Sequence, residues 1–406
     1  MVSLGNFASE FAIDGITINQ PAEVFSEFNG KLNIVVRIPC SAEEQIRAFF
    51  SSRLKLRLAG SDWVDCIPTH SDDQDKFIQV APLRSPIVIS GNERICKLTF
   101  LLGDLPNLKG KQVLISSEWS LTIVGKIDVS ATDPNKAKAD SALTHEGTLE
   151  RTDGSLFTCA EASRCLIHIC KFFSFCYERW ASIANVEGKN PDGKIVFWQL
   201  GAGKLDIVDA SSIESNWLDG FQPDKALQQL FPGFMKRIAD ENWEETLSLA
   251  IYWYVRGSTS NAGPDGSIII LQAALERLAW QFLVQDLRIL SEDGFSKLSA
   301  ADLLRLLLSH HKIPLKIPAE QYKLISTGKG LGWCDGADAV VQTRNKVVHP
   351  PRKKRVVSLD YYGAYTVAKW YLELILLHLG GFEGEYSNRT IAVRWSGQTE
   401  PVPWKS

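Results

Sequence analysis

The stretch TRNKVVHPPRKKR, residues 343–355, holds the side chains best placed to do chemistry in this chain of 406 residues. Arg344, Lys346, Arg352, Lys353, Lys354 and Arg355 fall in it with no acidic neighbour, and His349 precedes two prolines. Such a window is expected to meet something anionic, and histidine is the side chain that accepts and donates a proton near neutral pH. On a helix advancing about 100° per residue, Asn345 and His349 share a face. Arg344 lies about 140° around from His349, and its long side chain can bend back at the helix end. Pro350 stops the helix and biases His349 away from the α region. The imidazole is therefore expected on a bend, aimed outward.

Helices must position these residues. From Trp243 onward the pattern is helical: WEETLSLAIYWYVRG (243–257) stopping at Gly257, and a loop at 258–266. Ser267 then caps a helix to about residue 290. Ser299 with Asp302 starts another helix that Pro314 closes, and 336–349 forms the motif helix. A last helix over 359–379 ends at Gly380 and Gly381.

The first half reads as β-rich. The runs 31–38, 53–60, 85–91, 95–103, 112–125, 194–200 and 204–210 are β-branched or alternating and are bounded by turn residues. Residues 126–154 are polar and read as a long loop. Thr158 and Glu161 have capping-box spacing before an apolar helix, ASRCLIHICKFFSFCYERWASI. The expected fold is α+β and multidomain: a sandwich or curved antiparallel sheet with a packed helix (1–222), a helical connector (223–240), an all-α bundle (241–390) and a tail (391–406).

The arrangement Arg344-Asn345-Lys346-Val347-Val348-His349, a stop by proline and a further long helix resembles the HEPN superfamily, helical bundles many of which are RNases with an R-x(4–6)-H motif. Glu276, in ALERLAWQF, resembles the acidic residue many members carry on an earlier helix. The resemblance covers about residues 240–385. A β-rich half before a terminal bundle further looks like the ApeA-like branch, linked to bacterial defence against phage.

The resemblance implies a metal-independent, cofactor-free endoribonuclease in which an RNA 2′-hydroxyl attacks its own 3′ phosphodiester. His349 would be general base or acid and Arg344 would hold the phosphate. Asn345 would position the phosphate or the imidazole. Lys346 and Arg352, Lys353, Lys354 and Arg355 would bind RNA, and Glu276 would assist. It also implies a homodimer lining one cleft, a toxin-like role in abortive infection, and control by a phage-derived or nucleotide trigger at the N-terminal domain. Two alternatives stay open. The bundle is a silent RNA- or nucleotide-binding module, or it is a dimerisation scaffold whose β domain binds a carbohydrate or protein ligand.

Blander readings stand beside these. Arg344, Asn345 and His349 can be an ordinary helix end, RKKR a solvated charge run or nuclear localisation signal, and Glu276 a surface acid paired with Arg277 or Arg288. Cys165, His168, Cys170 and Cys176 lack tetrahedral ligand spacing on one helix and read as a buried apolar face. STGKGLG (326–332) lacks the phosphate-loop order and reads as a flexible approach to the motif helix, from which Lys329 could touch RNA. His310 and His311 receive no role.

Composition limits the rest. A net charge of −3 makes any nucleic-acid contact local. Eight cysteines without regular spacing suit a reducing compartment. No leader pattern or membrane-length apolar run is seen, so a cytoplasmic protein without a membrane partner is expected.

Overall fold

The computed structural model describes residues 2–28, 32–51, 53–72, 76–83, 87–103, 105, 108–125, 143–202, 216–259, 263–349, 358–391 and 394–405. Six antiparallel strands open the chain: β1 (Val2–Ile13), β2 (Ile16–Phe28), β3 (Leu32–Pro39), β4 (Leu54–Leu58), β5 (Val64–Asp72) and β6 (Phe77–Pro82). They close into a barrel in the order β1-β2-β3-β6-β5-β4. Alternation points Phe11, Ile13, Val24, Val36, Leu56 and Val80 inward, and all are buried. Helix α1 (Ala42–Phe50), started by a Ser41–Glu44 capping box, adds Ala48 to this core.

A second antiparallel sheet follows: β7 (Ile87–Ser90), β8 (Lys97–Gly103), β9 (Lys111–Ile115), β10 (Trp119–Gly125), β11 (Leu143–Arg151), β12 (Ser182–Lys189) and β13 (Ile195–Ala202). Its order is β7-β13-β12-β8-β11-β10-β9. Two expectations change here. The run 112–125 is a hairpin, because Ser116 and Trp119 close a turn through the Ser116 N–H. Residues 143–151, expected in a loop, form β11 between β8 and β10. Gly147 marks why: a Cβ there would lie 2.2 Å from the Phe100 ring, so glycine lets the strands pack. The strand expected at 204–210 lies outside the described residues.

Helix α2 (Cys159–Tyr177) has the expected Thr158–Glu161 capping box, but it stops at Glu178 in the left-handed conformation rather than running to residue 183. The helical part comprises α3 (Pro223–Ile238), α4 (Glu244–Thr259), α5 (Gly263–Trp280), α6 (Glu292–Lys297), α7 (Ala300–His310), α8 (Tyr322–Leu331), α9 (Gly336–Val348) and α10 (Tyr361–Leu379). Gly257 does not stop α4. A Cβ at that position would come within 2.9 Å of Leu271, so the glycine allows α4 and α5 to approach. Helix α5 starts earlier than expected, at Gly263, and Ser267 is buried within it. It continues as a π-helical turn, Gln281–Asp286. The run 326–332, expected to be a flexible approach, instead lies in α8 up to Leu331, with Gly332 as its left-handed cap. The tail is packed: β14 (Glu385–Tyr386) pairs with β15 (Glu400–Pro401), and Val402 is buried.

The two β assemblies have different cores. The barrel cluster also takes in Ile87 of β7 and Leu200 of β13, whereas the rest of the second sheet, α2 and the bundle share one apolar cluster running from Ile95 to Val402. A buried ionic knot fastens them. Arg389 donates to Glu178 (2.8 Å) and Glu373 (2.5 and 2.7 Å), Tyr254 donates to Glu373 (2.5 Å), and Lys369 pairs with Glu178. Among the described residues, one stretch, Gly263–Asp286, is apolar and long enough to cross a membrane, but 67% of its most apolar window is buried inside the protein. It is a core helix of the bundle.

Candidate functional site

Helix α9 is held from its start. Asp335 caps it by accepting from the Asp338 N–H at 3.0 Å, and Arg305 of α7 clamps Asp335 and Asp338 at 2.7 Å each. Ala337, Ala339, Val340 and Val341 bury its apolar side, and α9 packs on α5, α7 and α10. At the other end His349 leaves the helix at φ −125°, ψ 76°, its N–H still donating to the Asn345 carbonyl at 2.7 Å. This is the bend expected of a residue before proline.

Arg344 does not bend back to the imidazole. Its Nη1 donates to Asn345 Oδ1 at 3.1 Å, and its Nε is buried without a partner. The His349 side chain is exposed and makes no hydrogen bond with another described residue. Thr343 Oγ1 on α9 and Gln272 Oε1 on the adjoining α5 are also buried and unpaired. Glu276 accepts from Gln272 at 2.6 Å. Arg277, one of its expected partners, instead reaches Thr246 and Glu245. No ion pair joins Glu276 to Arg344 among the described residues. Lys346 lies over the Trp333 ring at 5.7 Å, and burial lowers its pKa. Arg352, Lys353, Lys354 and Arg355 lie outside the described residues.

Residues 240–401 match the family model of the YopA C-terminal domain, and residues 92–208 match that of the YopA central domain. The SPbeta prophage-derived uncharacterized protein YopA of Bacillus subtilis (strain 168) is 27% identical over 341 residues, covering 80% of this chain and 75% of the relative. No solved structure matches. The barrel lies ahead of both matched segments, while both share the larger core. The HEPN resemblance rests on Arg344 to His349 and the bundle around them.

Three polar groupings escaped sequence reading because their members are far apart in the chain. One is the knot around Arg389. A second joins α2 to α4: His168 Nε2 meets Glu244 at 2.8 Å, and Arg164 donates to the same carboxylate at 2.6 Å. Bonds to Arg164 and His168 hold Glu244 down at about 2. Cys165 and Cys176 sit buried on the same helix, and burial pushes their thiols up. In the third, His311 Nδ1 meets His378 Nδ1 at 2.9 Å beside Phe282, and His311 Nε2 is buried without a partner.

Proposed function

We propose that the chain is a metal-independent endoribonuclease of HEPN type, acting as a homodimer in the cytoplasm under control of its N-terminal part. The observation that carries this reading is the end of α9, where a half-buried Arg344 is fixed through one nitrogen only, one turn before an exposed His349. With Nη1 on Asn345, a small swing of the guanidinium presents its Nε–Nη2 edge, the fork that suits two phosphoryl oxygens. His349 takes the proton of the attacking 2′-hydroxyl or gives one to the departing 5′-oxygen. The P–O5′ bond breaks, leaving a 2′,3′-cyclic phosphate and a 5′-hydroxyl. A second copy supplies the opposite proton-transfer role from its own motif. Glu276, on the helix beside α9, supports this site, and Lys346 and the four basic residues after Pro351 follow the RNA backbone. The prophage origin of the Bacillus relative fits a place in phage–host conflict, with abortive infection as the outcome.

The lack of a bond between Arg344 and His349 within one chain favours a second reading, a silent RNA- or nucleotide-binding or dimerisation bundle whose β part binds the ligand. The test is cleavage of total RNA in EDTA by wild type, Arg344→Ala and His349→Ala. Cleavage with cyclic phosphate ends, lost by about a hundredfold or more in both variants, supports the nuclease. RNA binding without cleavage by a folded dimer, and no toxicity on expression, supports the silent module.

A further inference from the structure

A cavity of about 500 Å³ lies against the barrel strands β1, β2 and β4. That size accommodates a sugar or a comparable small molecule. Three amide side chains border it, Asn6, Asn19 and Gln20; all are exposed, and none bonds another described residue. Amides both donate and accept, as a hydroxyl-rich ligand requires. Among the described residues, the charged side chains lining it are Glu10 and Arg57, which pair with each other while Arg57 also lies over the Trp63 ring at 5.0 Å. A charged ligand would thus find no uncompensated partner there. Phe7 contributes an apolar wall and packs edge-on against Trp198 of β13 at 5.7 Å.

We infer that this barrel cavity is a binding site for a neutral, polyhydroxylated ligand such as a sugar. The amides read its hydroxyls, and the Glu10–Arg57 pair screens out charged analogues. The site stands ahead of both YopA-matched segments, on the barrel. It does not depend on whether the bundle cuts RNA, so loss of nuclease activity leaves it intact.

The experiment uses the full chain and ligand-observed saturation-transfer NMR with N-acetylglucosamine and its 6-phosphate as probes. Wild type is expected to give signal with the neutral sugar and several-fold less with the phosphate. Asn19→Ala, an exposed strand position, should lose most of the neutral-sugar signal. Glu10→Gln leaves Arg57 uncompensated and should reverse the preference toward the phosphate. Absence of signal with both probes, equal signal in wild type and Asn19→Ala, or a wild-type preference for the phosphate overturns the site. Thermal unfolding of each variant confirms that it is folded.

Discussion

Two polar clusters of the helical region behave in opposite ways. Around Arg389 the charges are almost wholly buried, and each meets an opposite charge: Glu178 with Lys369 and Arg389, and Glu373 with Arg389, where the neutral Tyr254 hydroxyl also donates. Burial alone would raise the Glu178 carboxyl, but Arg389 and Lys369 outweigh it and hold it low. At the end of α9 the pattern is reversed. Arg344 has one partner and an unpaired buried Nε, while His349 faces solvent with none among the described residues. Paired charges in a core hold helices in place. Polar groups kept underbonded at a helix end are available to something else.

The sharpest way to test that contrast is to break the knot. Arg389→Met takes from the buried Glu178 and Glu373 the guanidinium they share, and removing one partner of a buried pair costs about 3–5 kcal/mol. Urea denaturation should show the unfolding free energy fall by that amount, with the sheet and bundle losing structure together because they share a core. A change below about 1 kcal/mol would mean that the knot only decorates packing already sufficient by itself.

The histidine pair stands between the two clusters, half satisfied. Burial, aided by His378, His310 and Arg237, depresses His311 to about 3. Burial also lowers His378, with His310 and Lys312 adding to it. An unfolded imidazole titrates near 6.5, so the folded state favours the neutral ring. This contribution to stability is complete above about pH 6.5 and is lost as pH falls toward 3. By pH 5 the loss from His311 reaches about 2 kcal/mol. Comparing unfolding free energy at pH 7 and pH 5 for wild type and His311→Phe isolates it. The variant should show the shallower slope, and equal slopes would remove His311 from the account.

The elements that were legible in the sequence are those whose signals are local. The Thr158–Glu161 box, Ser299 with Asp302, and the stop at His349 each lie within one helical turn of the end they set. What failed was decided from afar. Gly257 lies inside α4, where a Cβ would come within 2.9 Å of Leu271 on α5. Closure of the barrel depends on β1 meeting β4, which no period-2 pattern encodes. Arg389 and Glu178 are 211 positions apart, so neither has a local signature. At the candidate site, the identities and the bend were readable, whereas the choice of Asn345 over the imidazole as the partner of Arg344 was not.

The smallest stability effect is expected where the functional effect is largest. Arg344→Met keeps the unbranched stem that packs along α9 and removes both the Asn345 bond and the unpaired Nε. The lost bond costs about 1 kcal/mol, and relief of a buried unsatisfied donor returns about the same. Net stability should stay within about 1 kcal/mol of wild type, while on the proposed nuclease function RNA cleavage falls about a hundredfold or more because no fork remains for the phosphate. Arg344→Lys adds a control: it restores the charge but not the paired donors, so cleavage should recover only in small part. If Arg344→Met instead unfolds as readily as Arg389→Met, then Arg344 is a structural strut like those of the knot. The underbonded guanidinium would then be a packing compromise rather than a reserved phosphate contact.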